Sequence, residues 1–197
     1  MTQILNFWAG KGIDGFRCDM AGMVPVEFWS YSIGKIKEEF HNIIFIAELY
    51  EPQQYRNFIE IGGFDFLYDK VGLYDSLRSI ILGHTNTDNL STIWKNLDGF
   101  DRYMLRFMEN HDEQRIASVH FAGDCFKGIP AMAVCALMNT GPVMIYNGQE
   151  VGEEAEGSTG FSGDDGRTSI FDYCAMPAMQ NWRNIGIYIF HYDFITR

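Results

Sequence analysis

Three carboxylates stand directly behind apolar, strand-like runs. Asp19 closes GIDGFRCD, Glu48 closes NIIFIAE and Asp112 closes RFMENHD. Polar groups at the C-terminal ends of parallel strands are where open α/β sheets and (β/α)8 barrels build their sites. A barrel of this kind uses about 30 residues per βα unit. Asp19 and Glu48 are 29 residues apart, one unit, and Glu48 and Asp112 are 64 apart, two units. The acids then sit on strands n, n+1 and n+3 and can converge on one mouth. Alternation along the first run puts Arg17 on the same face as Asp19. A cation there favours the ionised carboxylate, which a nucleophile must be. Glu48 lies between apolar Ala47 and Leu49, a setting expected to keep a carboxyl protonated and usable as an acid. One ionised and one protonated carboxyl is the pairing for glycosidic bond cleavage. Each acid taken singly reads equally as a helix N-cap. Arg17 alone reads as an ordinary ion-pair partner, and Asn110 and His111 as turn formers. The whole-unit spacing of all three acids favours a barrel enzyme.

The elements that would carry these residues follow from periodicity. Met1–Gly12 begins with a helix that pairs Ile4, Leu5 and Trp8 on one face and ends at Gly10 or Gly12. Strands are expected at 13–19, 43–47, 64–68, 103–108 and 142–146. Helices are expected at 24–40, 52–61, 72–82, 88–97 and 129–138. In the first of these, Phe28, Trp29, Ile33, Ile36 and Phe40 form the buried side. Short apolar runs alternating with helical stretches argue for a parallel α/β fold. Residues 148–168 are rich in Gly, Ser and acid, and read as a long mobile loop. Its acids, Glu150, Glu153, Glu154, Glu156, Asp164 and Asp165, could offer oxygen ligands to calcium, but their spacing is not that of an EF-hand, so a solvated loop is the favoured reading.

Composition excludes several partners. The 197 residues carry 15 Lys+Arg against 26 Asp+Glu, a net charge of −11. That argues against nucleic acid, which needs a basic face, and against an anionic membrane surface. No apolar run is long enough to span a bilayer, and the first residues lack the pattern of a secretory leader. Cys18, Cys125, Cys135 and Cys174 are scattered and read as buried thiols rather than a disulfide frame or a zinc site. The methionines read as fillers of core gaps. Free thiols and no leader fit a cytoplasmic location slightly better than a secreted one.

At the same residues the sequence resembles glycoside hydrolase family 13, the α-amylase family. GIDGFRCDMA is similar to the nucleophile motif of its fourth barrel strand, and FIAELYEP to the acid/base motif of the fifth. MLRFMENHDEQR is similar to the His-Asp motif of the seventh. GPVMIYNGQEVG and RTSIFDY resemble the eighth-strand segment and the Arg-containing stretch after it. The resemblance covers residues 1–182 and implies the C-terminal part of a (β/α)8 TIM barrel, strands four to eight. It implies Asp19 as nucleophile, Glu48 as general acid and then base, and Asp112 as the group that binds sugar hydroxyls. Arg17 would orient Asp19, and His111 would bond the substrate beside Asp112. The implied reaction is retaining hydrolysis of α-glucosidic bonds in starch-like oligosaccharides. Transglycosylation, or a catalytically inactive remnant that binds sugar, are the alternatives. Tyr50 either stacks on a sugar ring or packs its loop.

Departures from the family pattern are as informative. The early strands, their Asp…Asn-His motif and the lid domain have no counterpart here. MAGMVP follows Asp19 where many α-amylases carry a Lys-His pair. Asn147 stands where an aromatic is common, and residues 183–197 form an atypical tail. The chain is therefore expected to be part of a longer enzyme. No cofactor is certain from these residues, and calcium is an expectation only for a full-length parent. Two open sheet edges are expected, and through them self-association.

Overall fold

A computed structural model describes residues 1–138, 140–155, 165–168, 170 and 175–185. Seven α-helices and four strands are assigned among them. The helices are α1 (Thr2–Ala9), α2 (Val26–Glu39), α3 (Tyr55–Glu60), α4 (Asp75–Ile81), α5 (Leu90–Asn96), α6 (Ile129–Leu137) and α7 (Pro177–Ile185). The strands are β1 (Gly15–Cys18), β2 (Ile44–Ala47), β3 (Phe66–Tyr68) and β4 (Met104–Leu105). They form one parallel sheet in the order β1-β2-β3-β4. Sequential parallel neighbours joined through helices are the product of consecutive βα units. Register is set by pairs such as Cys18 with Ala47, Ala47 with Leu67 and Tyr68 with Leu105.

The chain divides into two compact units. The first comprises Met1–Ser76, Asp88–Arg106 and the short segment ending at Pro142. It holds the whole sheet. Phe45, Ala47, Leu67 and Met104 are fully buried in it, as expected of parallel strands covered on both faces. Trp29, Ile33 and Ile36 of α2 recur at helical spacing and are buried against this core, with Phe28 and Phe40 partly so. Trp29 meets the edge of Phe64, with ring centroids 5.1 Å apart. Gly15 is required by close approach, because a β-carbon there would fall 2.4 Å from the Ile44 carbonyl oxygen.

Three expectations need correction. On α1, Leu5 and Ala9 are buried while Ile4, Phe7 and Trp8 are exposed, so the buried stripe is offset from the one expected. The run 103–108 yields only two ladder residues, because Asp101–Tyr103 close into a 3-10 turn. The expected strand at 142–146 makes no ladder among the described residues. Pro142 accepts a hydrogen bond from the Arg106 N–H (3.1 Å) and Val143 is an isolated bridge residue. The backbone then turns, with the Tyr146 carbonyl accepting from Gln149 N–H at 2.8 Å.

The second unit comprises Leu77–Thr87, Phe107–Met138 and the described residues from Val143 onward. Its centre is a buried cation. Arg115 donates to Glu109 Oε2, to Thr168 Oγ1 and to the Asn147 carbonyl, each at 2.8 Å, and lies over the Tyr146 ring. Residues 156–164 of the acidic loop, Cys174 and the tail from 186 lie outside the described residues.

Candidate active site

The site in the first unit grows from the ends of β1 and β2. Pairing continues past the strands: Glu48 N–H donates to the Cys18 carbonyl, and Ala21 N–H donates to the Glu48 carbonyl, both at 3.0 Å. Between them Met20 takes a left-handed backbone with φ 45°. That conformation is unfavourable for a residue with a β-carbon. It turns the Met20 N–H onto Glu48 Oε2 at 2.8 Å.

Arg17 joins the two carboxylates. Its Nη1 lies 2.5 Å from Asp19 Oδ1 and its Nη2 lies 2.7 Å from Glu48 Oε1. Its Nε donates to the Tyr68 hydroxyl from the end of β3 at 3.4 Å. Burial works against the Arg17 charge, but Tyr68, Asp19 and Glu48 outweigh it and hold the guanidinium above its usual range. The two acids differ sharply in access. The Asp19 side chain is 76% exposed and that of Glu48 3%. Tyr50 donates its hydroxyl to Glu48 Oε1 at 2.7 Å. The setting expected for Glu48 is thus corrected: Ala47 and Leu49 are buried beside it, yet the carboxylate itself meets a cation, a phenol and a backbone N–H. Chain neighbours alternate to the other face of the strand, whereas the Glu48 side chain meets Arg17 of β1, the Met20 N–H just past it and Tyr50. On the opposite face, burial pushes the Cys18 thiol up to about 12, which leaves it inert.

In the second unit Asn110 Oδ1 accepts from the backbone N–H groups of Asp112 and Glu113, both at 2.8 Å. This turn presents Asp112, whose Oδ2 lies 3.1 Å from His111 Nε2. The structure therefore brings together Arg17, Asp19, Glu48 and Tyr50 in one unit, and His111 with Asp112 in the other.

Sequence reading passed over two buried pairs. Asp69 follows the β3 run just as Asp19 and Glu48 follow theirs. Its Oδ2 is bound by Arg106 Nε at 3.0 Å and its Oδ1 by Leu73 N–H at 3.3 Å. Burial raises its carboxyl above the usual range against the pull of Arg106. Position after a strand was the available signal, and it does not separate a working acid from a structural one. Glu109 pairs with Arg115 and is likewise raised by burial. In the acidic loop, Glu153 is buried rather than solvated and caps α7 by accepting from Ala178 and Met179 N–H. Among the described residues no cluster of three His, Cys, Asp or Glu is disposed to hold a metal ion.

A parallel sheet of consecutive βα units, with carboxylates at the C-terminal ends of its strands, is the architecture of barrel-type α/β proteins. The model of the alpha amylase catalytic domain matches residues 1–172. The chain belongs to the α-amylase family and is a glycosidase by lineage. It is 28% identical over 198 residues to an alpha-glucosidase of Candida albicans, covering 77% of this chain and 34% of that protein. It is 28% identical over 68 residues to an alpha-1,4-glucan:maltose-1-phosphate maltosyltransferase of Chlorobaculum tepidum, covering 34% and 10%. The fold matches an alpha-amylase structure from Lactobacillus plantarum with a TM-score of 0.68 and 23% identity, covering 90% of this chain and 42% of that one. The chain therefore spans well under half the length of these relatives, and its sheet corresponds to part of a TIM barrel.

Proposed function

We propose that this chain carries the cleaving residues of a retaining glycoside hydrolase acting on α-glucosidic bonds of starch-like oligosaccharides. The observation that carries this reading is the single guanidinium spanning Asp19 and Glu48. A retaining pair needs its carboxyl groups about 5–5.5 Å apart, and one guanidinium in contact with both carboxylates supports such a close pairing. Asp19, exposed and paired to a cation, attacks the anomeric carbon as the glycosidic bond breaks. Glu48 gives its proton to the departing oxygen. Water then attacks the sugar bound to Asp19, and Glu48 takes the proton back. Asp112 and His111 bond sugar hydroxyls, and residues 1–182 constitute the C-terminal part of the barrel. The match to a maltosyltransferase supports a second reading, in which a sugar hydroxyl replaces water as acceptor.

The test is release of reducing sugar from maltooligosaccharides by the chain and by Asp19→Asn. The expected result is release that falls at least about a thousandfold in the variant. Equal release from both proteins would overturn the assignment. Added maltose as acceptor separates the two readings, since longer products appear only with transfer.

A further inference from the structure

Among the described residues the Glu48 carboxylate has three partners, and they differ in what they can do. Arg17 Nη2 and Met20 N–H are donors with no acceptor capacity. The Tyr50 phenol can donate or accept. Resting on the acid/base reading of Glu48, we infer that Tyr50 is a positioning residue that holds the Glu48 carboxyl in both of its protonation states. In the carboxylate state the phenol donates to Oε1 at 2.7 Å, as observed. When Glu48 carries the proton, neither Arg17 nor the Met20 N–H can accept from it. Tyr50 can, by turning its hydroxyl hydrogen away and offering its oxygen. Glu48 passes its proton to the leaving group and later takes a different one from the attacking water, while Tyr50 keeps its own throughout. The other ionisable group that meets Glu48 is Arg17 of β1, and Asp19, just past β1, and Tyr68 of β3 reach it through Arg17. Glu51 follows Tyr50 along the same segment and packs toward Gly22.

Stacking would use the ring face, whereas positioning uses the hydroxyl. Tyr50 stands two residues past Glu48 with its hydroxyl 2.7 Å from the Glu48 Oε1. Tyr50→Phe removes that end and keeps the ring; Tyr50→Leu removes both.

The carbon-13 resonance of the Glu48 carboxyl at one fixed pH, compared between wild-type chain and Tyr50→Phe, tests the link without requiring turnover. Loss of the phenol contact at 2.7 Å is expected to displace that resonance from its wild-type position. Superposed resonances overturn the inference. Kinetics on maltooligosaccharides add a second reading. Tyr50→Phe and Tyr50→Leu are expected to lower kcat by about tenfold with KM changed by less than about twofold. Wild-type kinetics in Tyr50→Phe together with raised KM in Tyr50→Leu would mean stacking, and would overturn it. If sugar release survives Asp19→Asn while the Glu48 resonance still moves in Tyr50→Phe, the functional reading fails and the Tyr50–Glu48 link stands.

Discussion

Arg17 Nη2 lies 2.7 Å from Glu48 Oε1, and the Glu48 side chain is almost wholly buried. A carboxylate so placed cannot recover its hydration if the cation is removed. Arg17→Ala is expected to cost about 3 kcal/mol of stability, because it leaves Glu48 buried without its counter-charge. Arg17→Lys restores the charge but not the fork that spans two carboxylates, and should recover only part of that loss. Urea denaturation of the three proteins measures both.

Asp19 shares the same guanidinium but is mostly exposed. Surface ion pairs contribute little, about 0–1 kcal/mol. Asp19→Asn should therefore melt within a few degrees of wild type, whereas Glu48→Leu should lower the melting temperature markedly. Differential scanning calorimetry compares them, and equal losses would mean that exposure does not separate the two acids.

Asp69 and Arg106 form a buried pair within the first unit. Breaking it with Arg106→Leu is expected to cost about 3–5 kcal/mol. The raised carboxyl of Asp69 also sets a pH dependence. Its proton is held more tightly in the folded chain than in the unfolded one. Its contribution is thus greatest at acid pH, and declines as pH rises from the unfolded to the folded titration range. Asp69→Asn removes that slope. The gap in unfolding free energy between wild type and Asp69→Asn should be wider near the acid end than at neutral pH, as read from urea melts across that range.

The buried Arg115 serves Glu109, Thr168 and the Asn147 carbonyl at once. Arg115→Lys keeps one charge and loses most of those bonds. A loss of about 2–4 kcal/mol is expected. Chemical denaturation followed by tyrosine and tryptophan fluorescence gives the value.

On one side β1 pairs with β2, and no strand pairs with its other edge among the described residues. Beside it in sequence, α1 exposes Ile4, Phe7 and Trp8, each at half or more of full accessibility. An open edge next to apolar surface favours association between chains. The chain should elute above its monomer mass on size-exclusion chromatography with light scattering. Phe7→Lys with Trp8→Glu should shift it toward monomer.

The fold class was legible because it is written locally. IFIA is a β-branched and aromatic run bounded by turn residues. Trp29, Ile33 and Ile36 recur at helical spacing, and the resulting strand–helix alternation leaves a parallel sheet as the natural outcome. The positions of Asp19 and Glu48 were legible for the same reason, since each directly follows such a run, whereas Asp112 lies seven residues past β4 on a turn closed by Asn110. The placement of Arg17 on the Asp19 face needed only strand alternation. What Glu48 touches was not legible. Its neighbours along the chain are apolar, but its carboxylate meets Arg17 of β1 and the Met20 N–H just past it, and that meeting depends on the register of Cys18 against Ala47. Asp69 occupies the same position relative to its strand and became half of a buried ion pair, because Arg106 sits past the end of the neighbouring β4. Glu153 left its loop to cap a helix beginning 24 residues later, at Pro177. Periodicity is a property of one segment and survives in the sequence. Which donor meets which carboxylate is set where separate segments pack, and only the tertiary structure decides that.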